Sequence, residues 1–360
     1  MNIYILGTIL PCLFFRNKNG NVIVGEKRYN ITNLLAVAVF IFYFMISSFR
    51  AVSVGNDLVR YAERFVRIGK TPWPDIFKLG DTWGFEYGYV LFCKLLSLFS
   101  SNPRILIVAS SLFIIGSFYR AIAKYSENPM ISMYLFHLFG FYITSFNLIR
   151  LLMAVSICLW AIDSIKERKI ATFSLIVMVA MFFHTSAIVF FAAYVTPKLK
   201  TNKTMFLFSC LIGCITYGLS KYITILMTYV LSGAYQGYRT EVGAGSGNGL
   251  LLWMCFILVF AYLNQKGKRD YDYNMWVNFI FIVILFNILA LNLTTVSRLI
   301  WYFKVALLFL IPRISNGLRK KSNSYEKIIF DLGAYIAPWY FYIPMIMSKY
   351  LAVMPYVFGL

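Results

Sequence analysis

Apolar runs follow one another along nearly the whole of this 360-residue chain, and no other feature constrains its fold as strongly. Hydrophobic residues make up 60% of the sequence and charged residues 13%, with a mean hydropathy of +0.71. A bilayer accepts that much apolar surface, whereas water does not. The sequence therefore predicts an all-α, polytopic integral membrane protein, a single transmembrane domain over 1–360 with about 10–12 transmembrane or re-entrant helices.

The apolar runs give the candidate membrane spans. They lie at 1–15, 33–49, 85–99, 104–119, 130–146, 148–165, 171–196, 204–230, 249–264, 275–293, 297–312 and 326–347. The first run has no basic residue before it, and Arg16 and Lys18 follow it. That order is opposite to a cleavable signal peptide, so we expect a retained span with its N-terminus outside.

Basic residues set the orientation of these spans, because short cytoplasmic loops are enriched in lysine and arginine. The net charge of +20 comes from 34 Lys and Arg against 14 Asp and Glu. Five basic groups are expected in the cytoplasm: Arg16/Lys18/Lys27/Arg28, Lys166/Arg168/Lys169, Lys198/Lys200/Lys203, Lys266/Lys268/Arg269 and Arg319/Lys320/Lys321. The outer regions are then 50–83, 146–149, 232–249 and 292–298. Charge placed in short loops indicates membrane orientation and argues against a nucleic-acid partner.

Two regions do not fit this alternation of inner and outer loops. One crossing at 171–196 would separate two basic loops, and two crossings at 85–119 would put Arg120 and Lys124 outside. We therefore expect one broken or re-entrant segment in each region. His184, in Phe182-Phe183-His184-Thr185-Ser186, marks a break in the first region. It is equally consistent with an ordinary interhelical hydrogen bond.

The outer segment 50–83 is predicted to contain an amphipathic helix in the outer interface. From Asp57 onward, helical spacing separates a polar face from an apolar one. The polar face holds Asp57, Arg60, Tyr61 and Arg64, and the adjacent face holds Leu58, Ala62 and Phe65. Such a helix can meet phosphate head groups. A solvated helix with salt bridges is the alternative interpretation.

Two arginines and one acid stand at the outer ends of apolar helices. Guanidinium groups are costly at membrane depth, so Arg150 and Arg298 are expected to hold an anion, and their planar fork suits phosphate. Glu86 enters an apolar span from the same side as Asp57. Partial removal from water would favour either acid as a general base, and a nearby arginine would oppose that role.

Neither the cysteines nor the glycine-rich loop indicates a metal or nucleotide site. All six cysteines lie in apolar runs, and Cys210 and Cys214, the closest pair, have no histidine or acid nearby. We therefore expect no metal. The outer loop 232–249 follows no strand pattern, so a mobile outer flap or a plain linker is favoured over a phosphate loop.

Five short motifs in order resemble the EpsG family of Wzy-type polysaccharide polymerases. They are Val54-Gly55-Asn56-Asp57 with Tyr61 and Phe65, Glu86-Tyr87-Gly88-Tyr89, Asn147-Leu148-Ile149-Arg150 with Ala154, Phe183-His184-Thr185-Ser186-Ala187, and Arg298 with Tyr302-Phe303. The resemblance spans about 50–312. Leu58 and Leu151 depart from the Thr and Gln that the family usually has there.

The resemblance implies a multi-pass enzyme of the bacterial inner membrane. It would join oligosaccharide repeat units carried on undecaprenyl pyrophosphate at the outer face, without metal or nucleotide sugar. Arg150 and Arg298 would hold pyrophosphate, with Asp57, Glu86 and His184 as rival bases for the acceptor hydroxyl. Candidate contacts to head groups and sugars are Arg50, Arg60, Tyr61, Arg239 and Tyr302. Expected partners are the lipid-linked units, membrane lipids, a flippase and a chain-length regulator.

Two other classes of protein stay open. A flippase or transporter for the same lipid-linked sugars would also need buried arginines, but it should show repeated halves, and we find no internal repeat. A membrane O-acyltransferase of glycans would use a buried histidine, and His184 alone favours it.

Overall fold

The computed structural model describes residues 2–12, 21–24, 27–230, 247–263, 270–291, 294–320, 324–349 and 351–359, and it is almost entirely helical. Within these residues, β-structure is confined to a hairpin of β1 (Asn21–Val24) and β2 (Lys27–Asn30) and a bridge between Arg50 and Phe358. The all-α fold class is confirmed. Arg239, most of loop 232–249, and Arg16, Lys18, Lys266, Lys268, Arg269 and Lys321 lie outside the described residues.

The chain divides into two compact units, and the first comprises 1–163, 171–188 and 337–360. Its elements are α1 (Asn2–Cys12), α2 (Ile31–Ser48), α3 (Leu58–Lys70), a 3-10 turn (Trp73–Asp75), α4 (Ile76–Trp83), α5 (Tyr87–Ser97), α6 (Arg104–Tyr125), α7 (Pro129–Leu138), α8 (Phe141–Thr144), α9 (Ile149–Trp160), most of α11 (Ile170–Phe183) and α18 (Trp339–Met347). The helix α6 packs against α2 and α9, and α7 packs against α1 and α2. The prediction of a single domain stays a prediction.

The second unit comprises 164–170 and 189–336. It contains α12 (Lys203–Val230), α13 (Gly247–Leu263), α14 (Tyr271–Ala290), α15 (Ser297–Lys304), α16 (Ala306–Lys320) and α17 (Ser324–Asp331), with 3-10 turns at Thr196–Lys198 and Thr294–Val296 and a π-helix at Leu332–Ile336. The short α10 (Ile162–Lys166) and a 3-10 helix (Thr185–Tyr194) join residues of the two units. In the second unit α14 is central, because α12, α13, α15 and α16 all pack on it.

Several of these helices suit a membrane by length and composition. Among the described residues, three helices are long and apolar enough to cross it, namely α6, Thr204–Ile223 of α12, and α14, and the bent pair α15–α16 makes a fourth if it forms one span. The 22 residues of α6 extend ~33 Å, which matches a hydrocarbon core of ~30 Å. Along α12, apolar side chains such as Leu207, Leu211 and Ile215 are half-exposed. Exposed apolar surface of that extent suits lipid contact, and the protein is a multi-pass membrane protein.

The predicted break at His184 is confirmed. The α-helical geometry of α11 ends at Phe183, and the chain continues from Thr185 to Tyr194 as a 3-10 helix. At 14 residues, α11 reaches only ~21 Å. The backbone N–H groups freed at this break need partners, and one of them finds a carboxylate, as described below.

The helix α5 is the segment of 85–119 that is too short to cross. Its 11 residues extend ~16 Å, about half the hydrocarbon core. It lies parallel to α3, because Tyr61 contacts Tyr89 near the starts of both helices and Lys94 Nζ donates to the Thr71 carbonyl (2.7 Å) near their ends. The amphipathic helix predicted in 50–83 is α3, which buries its apolar face on α5 and exposes Arg60, Glu63, Arg67 and Lys70.

A candidate anion-binding site around Arg150

Arg150 is the second residue of α9, and its guanidinium gathers groups from three other places in the first unit. It forms an ion pair with the Glu86 carboxylate, donates to the Gly84 carbonyl (2.9 Å) and donates to the Tyr61 hydroxyl (3.4 Å). The Arg150 side chain is 18% exposed. A guanidinium on a side chain that is mostly enclosed, yet still partly exposed, can receive a phosphate group.

Two aromatic rings near Arg150 also contact the guanidinium groups of other arginines. The Phe85 ring centre lies 4.2 Å from the guanidinium carbon of Arg150 and 4.5 Å from that of Arg64. The Trp83 ring lies 5.3 Å from Arg64 and 5.6 Å from Arg67. We call Trp83, Phe85, Arg64, Arg67 and Arg150 the arginine–aromatic cluster. It places three positive charges close together at the starts of α5 and α9 and along α3.

Glu86 connects Arg150 to the break after α11. One carboxylate oxygen pairs with Arg150, and the other accepts from the Thr185 N–H at 3.1 Å. The close approach of α5 to α11 requires a glycine at residue 88, because a Cβ there would lie 2.7 Å from the Phe182 carbonyl oxygen. Glu86 is 13% exposed and has both oxygens engaged.

Asp57 stands at the N-cap position of α3 with a different environment. Its carboxylate makes no hydrogen bond or ion pair with any residue that the structure describes. Its backbone N–H donates to the Asn147 side-chain oxygen (3.3 Å), and the Asn147 amide donates to the Leu351 carbonyl (2.9 Å). Asn147 therefore joins the start of α3 to the chain just before α9 and to 351–359.

The segment 351–359 holds the loop that leads to Asp57. Ala51, Gly55 and Asn56 donate their backbone N–H groups to the carbonyls of 357, 352 and 351, and Gly359 donates to Phe49. Gly55 has a φ of +112°, a conformation that favours glycine. The loop before α3 is therefore fixed by residues far away in sequence.

Burial and charge also act on two titratable side chains of α3. Burial raises the pKa of the Tyr61 phenol, an effect that Arg150 opposes, so Tyr61 keeps its proton at neutral pH. Burial lowers the pKa of Arg64, and the positive charge of Arg150 lowers it further. The second effect shows that the two guanidinium groups repel each other.

His184 lies at the break and is 7% exposed. Its Nδ1 accepts from the Ser186 N–H (3.3 Å) and lies 2.7 Å from the Ser186 hydroxyl oxygen. An N–H can only donate, so Nδ1 is the acceptor and the neutral ring carries its proton on Nε2. This tautomer leaves no ring nitrogen ready to take a further proton without breaking a contact.

Arg298 and Tyr302 belong to the second unit. Arg298 is the second residue of α15, follows the 3-10 turn Thr294–Val296 and is partly exposed. Tyr302 lies one turn further along the same helix and is 1% exposed. Arg298 thus repeats the local setting of Arg150, a guanidinium in the first turn of an apolar helix.

Three of the predicted contacts to head groups or sugars lie in buried positions, and their roles stay predictions. Arg50 is 1% exposed, with its guanidinium held by Ser47 and Ser111 and covered by the Phe146 ring. Tyr302 is buried as well, so neither side chain lines an open entry. Tyr61 belongs to the buried face of α3, where its hydroxyl meets Arg150. Arg60 is exposed, as predicted.

Sequence reasoning missed the roles of Arg64, Phe85 and Asn147. The spacing of Trp83 and Phe85, just before a helix and behind a basic amphipathic helix, is a usable signal for stacked arginines. Nothing local links Asn147 to Leu351, 204 residues away.

Comparison with known proteins supports the resemblance seen in the motifs. No curated protein and no solved structure matches the chain. The model of the EpsG family, whose members are like Wzy-type polymerases, matches residues 33–358, which include every described residue of the site. The chain therefore belongs to the EpsG family.

Proposed function

We propose that this protein joins oligosaccharide repeat units, each carried on undecaprenyl pyrophosphate, at the outer face of the bacterial inner membrane. Membership of the EpsG family supports a polysaccharide-polymerase function in general terms. The observation that carries the finer proposal is the partly enclosed Arg150 guanidinium, which is flanked by stacked arginines at the start of an apolar helix. That arrangement suits a lipid-linked anion with several oxygens.

In this reaction the protein must bind the donor and acceptor pyrophosphates, stabilise the leaving pyrophosphate and supply a base for the acceptor hydroxyl. The bond between the donor sugar's anomeric carbon and its pyrophosphate breaks, and the pyrophosphate leaves with the electron pair. The acceptor hydroxyl oxygen bonds to that carbon and gives its proton to a base. Arg150 and Arg298 would each hold a pyrophosphate group, of the donor or of the acceptor, and the arginine at the donor would stabilise the negative charge that develops as its pyrophosphate leaves.

Asp57 is the base that the geometry favours. Its carboxylate is uncommitted among the described residues, whereas Glu86 already accepts from Arg150 and Thr185. His184 uses Nδ1 to accept from Ser186. A base must be able to reach its proton without first breaking its own contacts. Glu86 then acts as the counter-ion that orients Arg150.

The remaining expectations concern the entry and the partners. Arg60, exposed on α3, meets arriving head groups, and Arg239 is expected to do so from the loop that lies outside the described residues. A flippase would supply the substrate and a chain-length regulator would limit the product. The reaction needs no nucleotide sugar, because the pyrophosphate-linked donor carries the energy, and we expect it to be metal-independent.

Deletion of the protein in its bacterial host tests the proposal. Extracted glycans should lose the ladder of long chains, and single lipid-linked units should accumulate at the outer face, where added glycosidases reach them. Single units that accumulate inside would show a flippase and reject the polymerase. Long chains of normal length that lack only acyl groups would show an O-acyltransferase.

A further inference from the structure

We infer that Arg64 is a second guanidinium for the diphosphate group, acting beside Arg150 in the first unit; this inference rests on the proposed function. The relevant ligand chemistry is a polyprenyl diphosphate. The arginine–aromatic cluster carries the argument, and its residues lie in α3, in α9, at the end of α4 or in the turn between α4 and α5.

The first step is that Phe85 holds two guanidinium groups at once. The guanidinium carbons of Arg64 and Arg150 lie 4.5 and 4.2 Å from the same ring centre. The Trp83 ring centre also lies near Arg64, 5.3 Å from its guanidinium carbon. Stacking on rings fixes the plane of a guanidinium while its N–H groups stay free to donate at the edges.

The second step is the charge balance. Three arginines meet Trp83 or Phe85, and among the described residues only Glu86 forms an ion pair with any of them, which is Arg150. Arg64 forms no ion pair within the described part of the chain, and Arg150 lowers its pKa by repulsion. The guanidinium groups of Arg64 and Arg150 repel each other, and an anion that bridges them relieves this repulsion. Such an anion therefore binds more strongly.

The third step concerns ligand size. A monophosphate can be bound by the Arg150 guanidinium by itself. A diphosphate has oxygens on two phosphorus atoms and a larger negative charge. Two guanidinium groups therefore predict a preference for diphosphate over monophosphate. Substitution of Arg64 should reduce that preference. A general loss of folding would instead weaken the binding of both ligands together.

The experiment uses the purified full-length chain in nanodiscs of phosphatidylcholine. Binding of geranylgeranyl diphosphate and geranylgeranyl monophosphate is measured for the wild type and for Arg64→Met, Arg64→Lys, Arg150→Met and Lys70→Gln. Arg64→Met keeps an unbranched apolar side chain beside Trp83 and Phe85 and removes the guanidinium, with its charge and its N–H donors. Lys70, exposed on the same helix and away from both rings, supplies the matched control.

Arg64→Met should weaken diphosphate binding by ~10-fold or more, as expected for loss of hydrogen bonds to a charged group, and monophosphate binding by less. The diphosphate affinity of Arg64→Lys should lie between those of the wild type and Arg64→Met. The affinity of Lys70→Gln should match that of the wild type. If Arg64→Met leaves the diphosphate preference unchanged while Arg150→Met abolishes binding, the role of Arg64 is rejected and the proposed function stands. If the wild type itself does not prefer diphosphate, the proposed function fails too.

A second arm separates a diphosphate site from a site for lipid head groups. Nanodiscs that contain phosphatidylglycerol offer an excess of monoanionic phosphate at the membrane surface. The difference in diphosphate binding between wild type and Arg64→Met should persist there. Its disappearance would assign Arg64 to anionic lipid and overturn the inference.

Discussion

Arg50 and Arg150 are both mostly enclosed within the first unit, yet their surroundings differ in kind. Arg50 is covered by Phe146 and held by serine oxygens, with no carboxylate paired to it in the described part of the chain. Arg150 keeps 18% of its side chain exposed and contacts a carboxylate, a phenol and a carbonyl. Hydrogen bonds and a ring enclose the first guanidinium completely. The second is oriented by its contacts, and its side chain stays partly exposed.

This difference separates an arginine that stabilises the fold from one that can meet a substrate. Arg50 lies where α2 ends and pairs through its backbone with Phe358, so its side chain and backbone together fix the 50–57 loop. Arg150 is oriented by Glu86, which a charged ligand can partly replace. The comparison predicts that substitutions at the two sites affect different quantities.

The largest expected effect is on polymer synthesis by Arg150→Lys. Lysine keeps the charge but loses the fork and the stacking on Phe85, so turnover should fall ~10²–10³-fold. Arg298→Lys should behave alike. The measurement is the glycan ladder together with the amount of protein in the membrane. Near-normal long polymer from both variants, at normal protein levels, would contradict the pyrophosphate assignment.

Asp57→Asn tests the proposed base. The amide keeps the shape of the side chain but cannot take a proton, so turnover should fall ~10²-fold with lipid-linked units still bound. Glu86→Gln, the matched change in the paired acid, should cost less turnover. Purified enzyme with synthetic lipid-linked units gives both quantities. Full turnover in Asp57→Asn would instead direct attention to Glu86.

Arg50→Ala should act on stability rather than chemistry. Removing the buried side chain leaves a cavity and an unpaired Ser47 carbonyl, at a cost of about 2–4 kcal/mol in the free energy of unfolding. The melting temperature should drop, while the diphosphate affinity of the protein that remains folded stays near that of the wild type. A loss of diphosphate affinity without a lower melting temperature would remove the distinction between the two arginines.

A smaller effect is expected from Asn147→Ala. The Asp57 N–H and the Leu351 carbonyl would both lose their partner, and Asp57 would be held less firmly relative to Arg150. The kcat should fall ~10-fold with little change in KM, because a misplaced base slows the reaction more than it weakens binding. Ser53→Ala, an exposed change on the same loop, is the control. Equal losses in both variants would indicate a general loosening of the loop.

The smallest effect should come from His184→Gln. Glutamine can still accept from the Ser186 N–H, so turnover should stay within about threefold of the wild type. The rate of the intact enzyme should stay level as pH falls through ~6.5, the ordinary range of imidazole. A severe loss, or a fall in rate through that range, would make His184 the base.

Much of the fold was predictable because the patterns that specify it are local. Apolar runs located the helices, and a single histidine in an apolar run marked the end of α11 at Phe183. The sequence predicts that α3 is amphipathic, but it does not predict which residues of α3 face its neighbours. Tyr61 was therefore assigned to the polar face. Its burial depends on how α5 packs against it, and sequence periodicity alone does not contain that information.

The candidate site was predictable to a lesser degree. Arg150 and Glu86 could be named as site residues because a charge at the end of an apolar helix is unusual. Their pairing, the stacking on Phe85 and the enclosure of Arg50 all depend on contacts between distant segments. A basic residue read from sequence looks the same whether it ends up buried under Phe146 or open beside Phe85.

The link between Asn147 and Leu351 has a consequence for how the protein is made. The two residues are 204 positions apart, so at ordinary translation rates Leu351 is synthesised on the order of 10–40 s after Asn147. Until then the loop that leads to Asp57 lacks the carbonyls to which its N–H groups are bonded. A nascent chain that has already inserted α3, α5 and α9 therefore cannot hold Asp57 in its final place. Under the proposed function, polymer synthesis would begin only once 351–359 has docked, and partly made enzyme would consume no lipid-linked sugar.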